Sequence, residues 1–401
     1  MSRNVAELLG NEAIDTIRRP VEKAGGLPGY AYTSQEFFEL EQEQLFPCTW
    51  MGIAFASDIP NPGDALPVMV GKLPIILVRN GAGEIRGFHN VCRHRASMVL
   101  TEPCRGAKHL TCPYHAWAWD LDGNLEATPY FDGSPDGRGA DIDRASLGLV
   151  PVRIAVWHHW VFVNLDGNAP PIEEHVSALL GLIGDADLSA TRVAKRVDWA
   201  FDANWKLQND NWETYHHTWV HKTFFIKVSD DVDLATNTPW MEPVQGKNMV
   251  SLRFRKDAPV VRKSHGLPPI PFAEDTDRVI CTSIIFPNVT LTLQSNHIAS
   301  VITLPVAPNR TVARMGFFFV GDAATDPKHA EGREKVLDTW LGESRSSDGR
   351  DGIRSQDFGI WEVQQIARQS PVADKVVFSP VWERNIHHFH NELLDTMMDA
   401  R

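Results

Sequence analysis

Residues 92–115 bring together many side chains that can bind a metal ion, since the stretch holds three cysteines and three histidines. Four of them form two short arms, Cys92-x-His94 and Cys112-x-x-His115. A zinc finger normally has two cysteines in its first arm and two histidines in its second. Here each arm holds one of each, so two loops could place both thiolates on one metal and both imidazoles on another. A [2Fe–2S] cluster needs this arrangement when two histidines replace two cysteines on one iron.

Two further side chains of this stretch fit neither arm, and we interpret both as structural. Cys104 is interpreted as a core or loop cysteine and His109 as a solvated loop histidine. The alternative for the whole stretch is a zinc knuckle, which the mixed composition of the arms disfavours. The chain has five cysteines, too few and too scattered for a disulfide framework. In a reducing compartment, clustered cysteines indicate metal binding or catalysis.

A second group of candidate ligands lies in residues 205–225, which are predicted to be helical. This stretch offers one acid, Glu213, and the three histidines His216, His217 and His221. On an ideal helix His217 and His221 are at positions i and i+4, so they share a face and could hold one metal. His216 and His221 would need a wider turn or a π-bulge. Spacing alone therefore favours His217.

The elements that must position these groups can be predicted from apolar patterning. Short apolar runs broken by turn signals such as NPGD, NGAGE and LDGN predict an all-β unit over residues 50–165. A helix is predicted near residue 172, and strand alternation after residue 190. Alternation over residues 278–320 predicts an antiparallel sheet with one buried face. The rest of the C-terminal third is predicted to be helical, and the N-terminus to form a helix that ends at Pro20.

Composition limits the classes of function. The 401 residues are 43% hydrophobic, as in an ordinary globular chain, and carry a formal net charge of −12. This charge argues against nucleic acid as a partner. The N-terminus has no continuous apolar run, which predicts neither a signal peptide nor a membrane anchor. A cytoplasmic protein is predicted.

The two arms and their flanks closely resemble the motif of a known family. GFHNVCRHR and TCPYHAWAWDLDGNL resemble the Rieske iron–sulfur motif, in which C-x-H and C-x-x-H are separated by a short spacer. NWK, followed by an acid and then YH-x4-H, resembles the mononuclear iron site of the Rieske non-heme iron oxygenases. The resemblance extends from about residue 28 to residue 395. It implies that Cys92, His94, Cys112 and His115 hold a [2Fe–2S] cluster.

For the second site the resemblance departs from the spacing argument. It implies that His216 and His221 bind the mononuclear Fe(II), that Glu213 is a bridging acid, and that His217 lies in a pocket or behind the ligands. Glutamate at position 213 differs from the aspartate that is commoner in the family. The preceding asparagine of the family pattern corresponds to Asn209 or Asn211.

The resemblance implies that the third iron ligand lies far downstream. Asp357 is followed at position 364 by the glutamine that the family pattern expects, and Glu362 is the rival ligand, interpreted as an exposed helix carboxylate. Two histidines and one carboxylate would form the facial triad that leaves positions open for O2 and substrate.

The fold implied by the resemblance has two domains and belongs to the α+β class. An all-β Rieske domain over residues 46–165 would precede an α+β catalytic domain of the helix-grip type over residues 166–401, with an antiparallel sheet and flanking helices. Residues 1–45 would form an N-terminal helical segment packed on the catalytic domain.

The activity implied by the resemblance is that of the alpha, or oxygenase, subunit. Electrons from NADH or NADPH would arrive through a separate flavin and iron–sulfur reductase, directly or through a ferredoxin. The chain has no G-x-G-x-x-G fingerprint opening a helix, which favours a separate reductase. The family assembles as a head-to-tail homotrimer, with or without a small beta subunit. Electrons would pass from His115 of one subunit to Glu213 and His216 of its neighbour.

The substrate class stays open between two alternatives. One is a quaternary ammonium compound that is oxidatively demethylated, and the other is an aromatic acid or amine that receives one or both oxygen atoms. Aromatic residues offer pocket walls for either: Trp212, Trp219, Phe224, Phe225 and Phe286. A different class of function is an iron–sulfur electron carrier without oxygenase chemistry, which would lack the mononuclear iron.

Overall fold

The structure is a computed structural model that describes residues 4–138, 141–213, 220, 241–255, 265–272, 280–342 and 353–400. These residues form two compact units. One unit comprises residues 46–169, and the other combines the described parts of residues 1–45 and 170–401. None of the described helices is long and apolar enough to cross a membrane.

The unit of residues 46–169 is built from short antiparallel strands, as the turn signals predict. Its described strands form three sheets, with the orders β1-β9-β8, β2-β3-β4 and β5-β6-β7. The bounds are Met51–Phe55 (β1), Ala65–Val70 (β2), Leu73–Arg79 (β3), Ile85–His89 (β4), Leu110–Thr111 (β5), Ala118–Trp119 (β6), Leu125–Ala127 (β7), Arg153–Trp157 (β8) and Trp160–Asn164 (β9).

The core of this unit extends directly to the cysteine arms. Cys92 and Cys112 are buried in one apolar cluster with Phe88, Trp117 and Trp119. The Cys92 arm follows β4, and the Cys112 arm connects β5 to β6. Packing of the sheets therefore holds the two arms in place.

The other unit is organised around a single antiparallel sheet. Among the described residues, seven strands run in the order β10-β16-β15-β14-β13-β12-β11. Their bounds are Thr191–Phe201 (β10), Met241–Gly246 (β11), Met249–Phe254 (β12), Cys281–Ile285 (β13), Val289–Leu293 (β14), His297–Ala307 (β15) and Arg310–Val320 (β16). The prediction of an antiparallel sheet is confirmed. The prediction of one buried face is wrong for β14, which is buried at all five positions.

Helices flank this sheet. Their bounds are Val5–Leu9 (α1), Asn11–Ile17 (α2), Tyr30–Thr33 (α3), Gln35–Gln44 (α4), Ile172–His175 (α5), Ser177–Ile183 (α6), Trp205–Asn209 (α7), Ala330–Leu341 (α8), Ile353–Ala367 (α9) and Arg384–Asp399 (α10). The predicted N-terminal helix is split into two at Gly10, whose φ of 77° only glycine adopts readily. The α+β class is confirmed.

One helix is much shorter than predicted. The sequence predicts a helix from residue 205 to about 225, whereas α7 ends at Asn209 and residues 210–213 are not helical. The reason is that the side chains after Asn209 bond to distant parts of the unit. Asn211 donates to Asp357, and Trp212 donates from Nε1 to the carbonyl of Thr282 at 3.0 Å. Tertiary contacts therefore override the helical pattern.

Candidate functional site

The two cysteine arms fold into loops of the same local geometry. In each loop the cysteine carbonyl accepts a hydrogen bond at 3.0 Å from an alanine N–H four positions on, Ala96 for Cys92 and Ala116 for Cys112. The cysteine N–H donates to the carbonyl of the residue after that alanine, at 2.8 Å in both loops. Both alanines have positive φ, 55° and 56°. The left-handed turn brings the chain back, so that a cysteine and a histidine of each loop project together.

The loops pair thiol with thiol and imidazole with imidazole. Cys92 and Cys112 are 4% and 1% exposed, and their side chains are within hydrogen-bonding reach of each other. None of the five cysteines, all of which lie in the described part of the chain, forms a disulfide. The rings of His94 and His115 have centroids 4.8 Å apart. Two thiols on one side and two imidazoles on the other are the donors that a two-iron cluster of mixed ligation needs.

The surroundings of His94 fit a metal on that ring. Its Nδ1 atom is buried and has no hydrogen-bond partner among the described residues. The ring stacks on Trp117, with centroids 4.8 Å apart and planes at 6°, and meets the edge of Phe131. A buried ring nitrogen without a partner costs about 1–3 kcal/mol, which coordination of iron would remove. The donor set therefore fits the cluster.

The electrostatics of the Cys92 thiol point the same way. Burial raises the pKa of this thiol and the neighbouring Cys112 raises it further, whereas N–H groups of His94 and Arg95 donate to the sulfur and lower it. Two thiols this close would resist ionisation, but a bound metal deprotonates a coordinating thiol outright. The two N–H donors would then stabilise the thiolate, and such hydrogen bonds tune the cluster's reduction potential.

The two other candidates in this stretch lie apart from the pairs. Cys104 is held by its backbone, which exchanges two hydrogen bonds of 3.0 Å with Ala65. His109 is exposed and its Nδ1 contacts the carboxylate of Glu126. These positions agree with the structural interpretation of both residues.

The second site contains a buried carboxylate fixed by an asparagine. Asp357 is 5% exposed, and its Oδ1 accepts a hydrogen bond of 3.0 Å from Nδ2 of Asn211. Glu213 is also buried, at 6% exposed. Helix α9 presents Asp357 inward because its apolar face packs on β10, where Phe358 and Trp361 lie 5.0 and 5.1 Å from the ring of Phe201.

The alternatives left open by the sequence differ clearly in their surroundings. Glu362 accepts a hydrogen bond of 3.0 Å from the exposed backbone N–H of Asp202, so it caps a turn at the surface. Asn209 donates to the carbonyl of Pro287 at 2.8 Å, whereas Asn211 faces Asp357. His216, His217 and His221 lie outside the described residues, as do the pocket candidates Trp219, Phe224 and Phe225.

The described pocket candidates lie in apolar clusters. Trp212 packs with Val250, Leu252 and Ile284, and Phe286 lies 5.8 Å from the ring of Phe389. Sequence analysis missed Asp210, an acid directly before Asn211 whose side chain is 8% exposed. Its partners are 158 to 180 positions away, so no local pattern marks it. The one sequence signal is an acid next to the candidate asparagine.

Comparison with known families assigns both units. The model described as Rieske [2Fe-2S] domain matches residues 49–137, and the model described as Ring hydroxylating alpha subunit (catalytic domain) matches residues 188–399. The first match decides against a zinc knuckle. The second decides against an electron carrier without oxygenase chemistry.

Similar proteins are oxygenase subunits. The carnitine monooxygenase oxygenase subunit of Escherichia coli strain K12 is 28% identical over 391 residues, covering 94% of this chain and 95% of the relative. The anthranilate 1,2-dioxygenase large subunit of Acinetobacter baylyi is 35% identical over 211 residues, 49% of this chain and 42% of the relative.

Solved structures share the fold at low identity. The quaternary ammonium Rieske monooxygenase CntA with L-carnitine has a TM-score of 0.73 at 21% identity, covering 95% of this chain and 98% of that chain. Naphthalene 1,2-dioxygenase from Rhodococcus sp. has a TM-score of 0.76 at 21% identity, covering 97% and 99%.

The catalytic-domain model spans more than half of the chain, and the paired donors of the other unit fit a mixed-ligand cluster. The cofactors are a Rieske [2Fe–2S] cluster and a mononuclear iron, with NAD(P)H acting through a reductase. The chain belongs to the ring-hydroxylating alpha subunits, the terminal oxygenase components that use O2 and electrons from a separate reductase to oxidise a small organic substrate.

Proposed function

We propose that Cys92 and Cys112 hold one iron of the cluster and that His94 and His115 hold the other. The observation that carries this assignment is the pairing of like donors, together with the partnerless Nδ1 atom of His94 in the described structure. Imidazoles in place of two thiolates make the cluster less negative, which raises its potential and suits it to accept electrons from a reductase.

The mononuclear iron is held by His216, His221 and Asp357. Burial of Asp357 and its bond to Asn211 support this set, because Asn211 immediately precedes the stretch that carries the two histidines. When bound, this iron supplies the centre at which O2 is reduced beside the substrate. Asn211 holds the carboxylate in one orientation, which keeps the donor in place while the other positions stay open.

Glu213 is the bridging acid between subunits of a homotrimer in a cytoplasmic enzyme. Each unit has exposed apolar side chains that suit an interface. On α9 they are Ile360, Val363 and Ile366, and beside the cluster loops they are Tyr114, Tyr130 and Phe131. Exposed apolar side chains in such groups mark protein contacts more often than isolated ones do. In a quaternary ammonium Rieske monooxygenase of the same fold, electrons are transferred between subunits.

The substrate is a small quaternary ammonium compound. This class is supported by the carnitine relative, which matches almost the whole chain, and by a glycine betaine monooxygenase oxygenase subunit of Pseudomonas aeruginosa, 33% identical over 196 residues. An aromatic acid is the second candidate, favoured by the 35% identity with the anthranilate enzyme over about half of the chain.

Metal analysis and a product assay test this function. The purified protein is expected to contain about three irons per chain, two of them in the cluster. With reductase, NADH and O2, carnitine or betaine should yield an aldehyde and a demethylated or cleaved amine, whereas anthranilate should yield no product. Two irons per chain would contradict the mononuclear site, and product from anthranilate alone would replace the first substrate class by the second.

A further inference from the structure

We infer that Asp210 is a positioning residue for the mononuclear iron site, acting with Tyr32, His390 and Arg368 to fix the segment that carries Asn211. This inference rests on the proposed function, because it takes Asp357 as an iron ligand. None of the four residues is proposed to touch iron or substrate.

The carboxylate of Asp210 is enclosed by donors from three distant parts of the chain. Its side chain is 8% exposed, and its Oδ2 accepts a hydrogen bond of 2.5 Å from the hydroxyl of Tyr32. Its Oδ1 accepts one of 2.8 Å from Nε2 of His390. The Nη2 atom of Arg368 lies 3.8 Å from Oδ2, and this guanidinium stacks over the ring of Tyr32 at 4.3 Å.

The tautomer of His390 follows from its second nitrogen. Nδ1 accepts a hydrogen bond of 3.3 Å from the backbone N–H of Leu27, so the ring proton is on Nε2 and is donated to Asp210. Although burial raises the pKa of Asp210, His390, Arg368 and Tyr32 together hold it below its ordinary value. The acid is therefore ionised, and its direction is set by two directed hydrogen bonds and one nearby cation.

This network supports both segments that form the candidate iron site. Asp210 directly precedes Asn211, whose amide orients Asp357. The backbone carbonyl of Tyr32 also accepts a hydrogen bond of 3.1 Å from the side-chain Nε2 of Gln365 on α9, the helix that carries Asp357. Gln365 in turn accepts one of 3.0 Å from the N–H of Asn204, at the start of α7. The two segments therefore share Tyr32 as a common support.

A gain in stability alone does not explain why a carboxylate such as that of Asp210 lies in this largely enclosed position. A buried carboxylate loses its hydration, and apolar side chains of similar volume often serve stability as well or better. Unlike apolar packing, a polar network in which every group is hydrogen-bonded fixes the orientation of each of its side chains. That property matters where a small misplacement of a ligand weakens binding of the metal.

Affinity for Fe(II) provides a test that does not depend on turnover. The mononuclear site is emptied with a chelator while the cluster stays intact, and Fe(II) is titrated back into wild type, Tyr32→Phe and Asp210→Asn. We expect Kd to rise about 10-fold in both variants, the range typical of groups that orient ligands. Cluster absorption should be unchanged.

Tyr30→Phe is the matched control. It removes a hydroxyl from the same helix, α3, and that hydroxyl donates to the carboxylate of Glu36 at 2.7 Å, away from Asp210. Its Kd should stay within about twofold of wild type. Tm is measured for every variant, because a purely structural role would lower Tm and leave Kd unchanged.

The outcomes separate the inference from the function on which it rests. If Asp357→Ala binds Fe(II) as wild type does, the proposed ligand set is wrong. If Asp357→Ala loses Fe(II) but Tyr32→Phe and Asp210→Asn bind it within twofold of wild type, only the positioning role is overturned. Should Asp210→Asn fail to fold, the milder Tyr32→Phe variant decides alone.

Discussion

Asn211 donates a hydrogen bond from Nδ2 to Oδ1 of Asp357 over 3.0 Å, and this bond joins segments 146 positions apart in the chain. Replacement by Ala would leave a buried carboxylate oxygen with one donor fewer. We expect Asn211→Ala to lower the free energy of unfolding by about 1–3 kcal/mol and to weaken retention of the mononuclear iron. Urea unfolding followed by fluorescence measures the first effect. Exposed Gln364 on the same helix provides the control, and an equal loss in Gln364→Ala would contradict the expectation.

The proposed cluster ligands can be tested by the visible absorption of the protein. Cys92→Ser or His115→Ala should abolish the visible absorption of the cluster, because each iron keeps too few protein donors. The catalytic unit should retain its far-ultraviolet circular dichroism, since its core is separate. Cys104→Ser should keep the spectrum. A coloured, wild-type-like Cys92→Ser or His115→Ala variant would remove that residue from the ligand set.

Glu213 is expected to matter for electron transfer and not for metal binding. Glu213→Gln keeps the size of the side chain and removes its charge, so both iron centres should stay loaded while turnover falls by about 100-fold. The rates of NADH oxidation and of product formation measure the loss. The control is Glu362→Gln, which changes a carboxylate on α9 that accepts a hydrogen bond from the N–H of Asp202. This variant should turn over at the wild-type rate. Wild-type turnover in Glu213→Gln would show that electrons reach the iron by another route.

The register of the histidines can be decided by counting iron. His216→Ala should lose the mononuclear iron, since Fe(II) is a weak binder among divalent metals and two protein donors hold it poorly. His217→Ala should retain it, with affinity or activity reduced by about 10–100-fold. Iron per chain, after subtraction of the cluster's two, gives the answer. The reverse pattern would favour the i, i+4 pair that spacing alone suggests.

The pH dependence of stability should contain a contribution from His175. Its Nε2 donates to the carbonyl of Phe286 at 2.7 Å, and burial lowers the pKa of the imidazole from 6.5 to about 4. Because the folded state resists protonation, this contribution is complete above pH 6.5 and is lost as the pH falls towards 4. The loss amounts to about 3 kcal/mol.

Substitution isolates this contribution from other buried groups. His175→Gln keeps a donor but cannot titrate, so its stability should fall less steeply between pH 6.5 and 4 than that of wild type. Denaturant unfolding at several pH values gives the two slopes. Parallel curves for wild type and His175→Gln would refute the assignment.

Local signals in the sequence correctly predicted an all-β unit with the two cysteine arms in its loops. Turn residues recur between short apolar runs, and the spacing from Cys92 to His115 is a local property of the chain. The end of α7 could not be predicted in this way. Asp210, Asn211 and Trp212 bond to residues far away in the chain, so the helical pattern carries no trace of the break. The roles of the histidines at 216, 217 and 221 stay predictions.

Strand β14 has a consequence for hydrogen–deuterium exchange. It is paired on both edges, with β13 and β15, and all five of its residues are buried. Local opening therefore gives solvent no access to its amides, and they exchange when the whole unit unfolds. Their protection reports global stability, whereas residues 210–213, which lie outside any strand or helix, exchange through smaller openings. Labelling can thus distinguish a variant that loosens the iron site from one that weakens the entire unit.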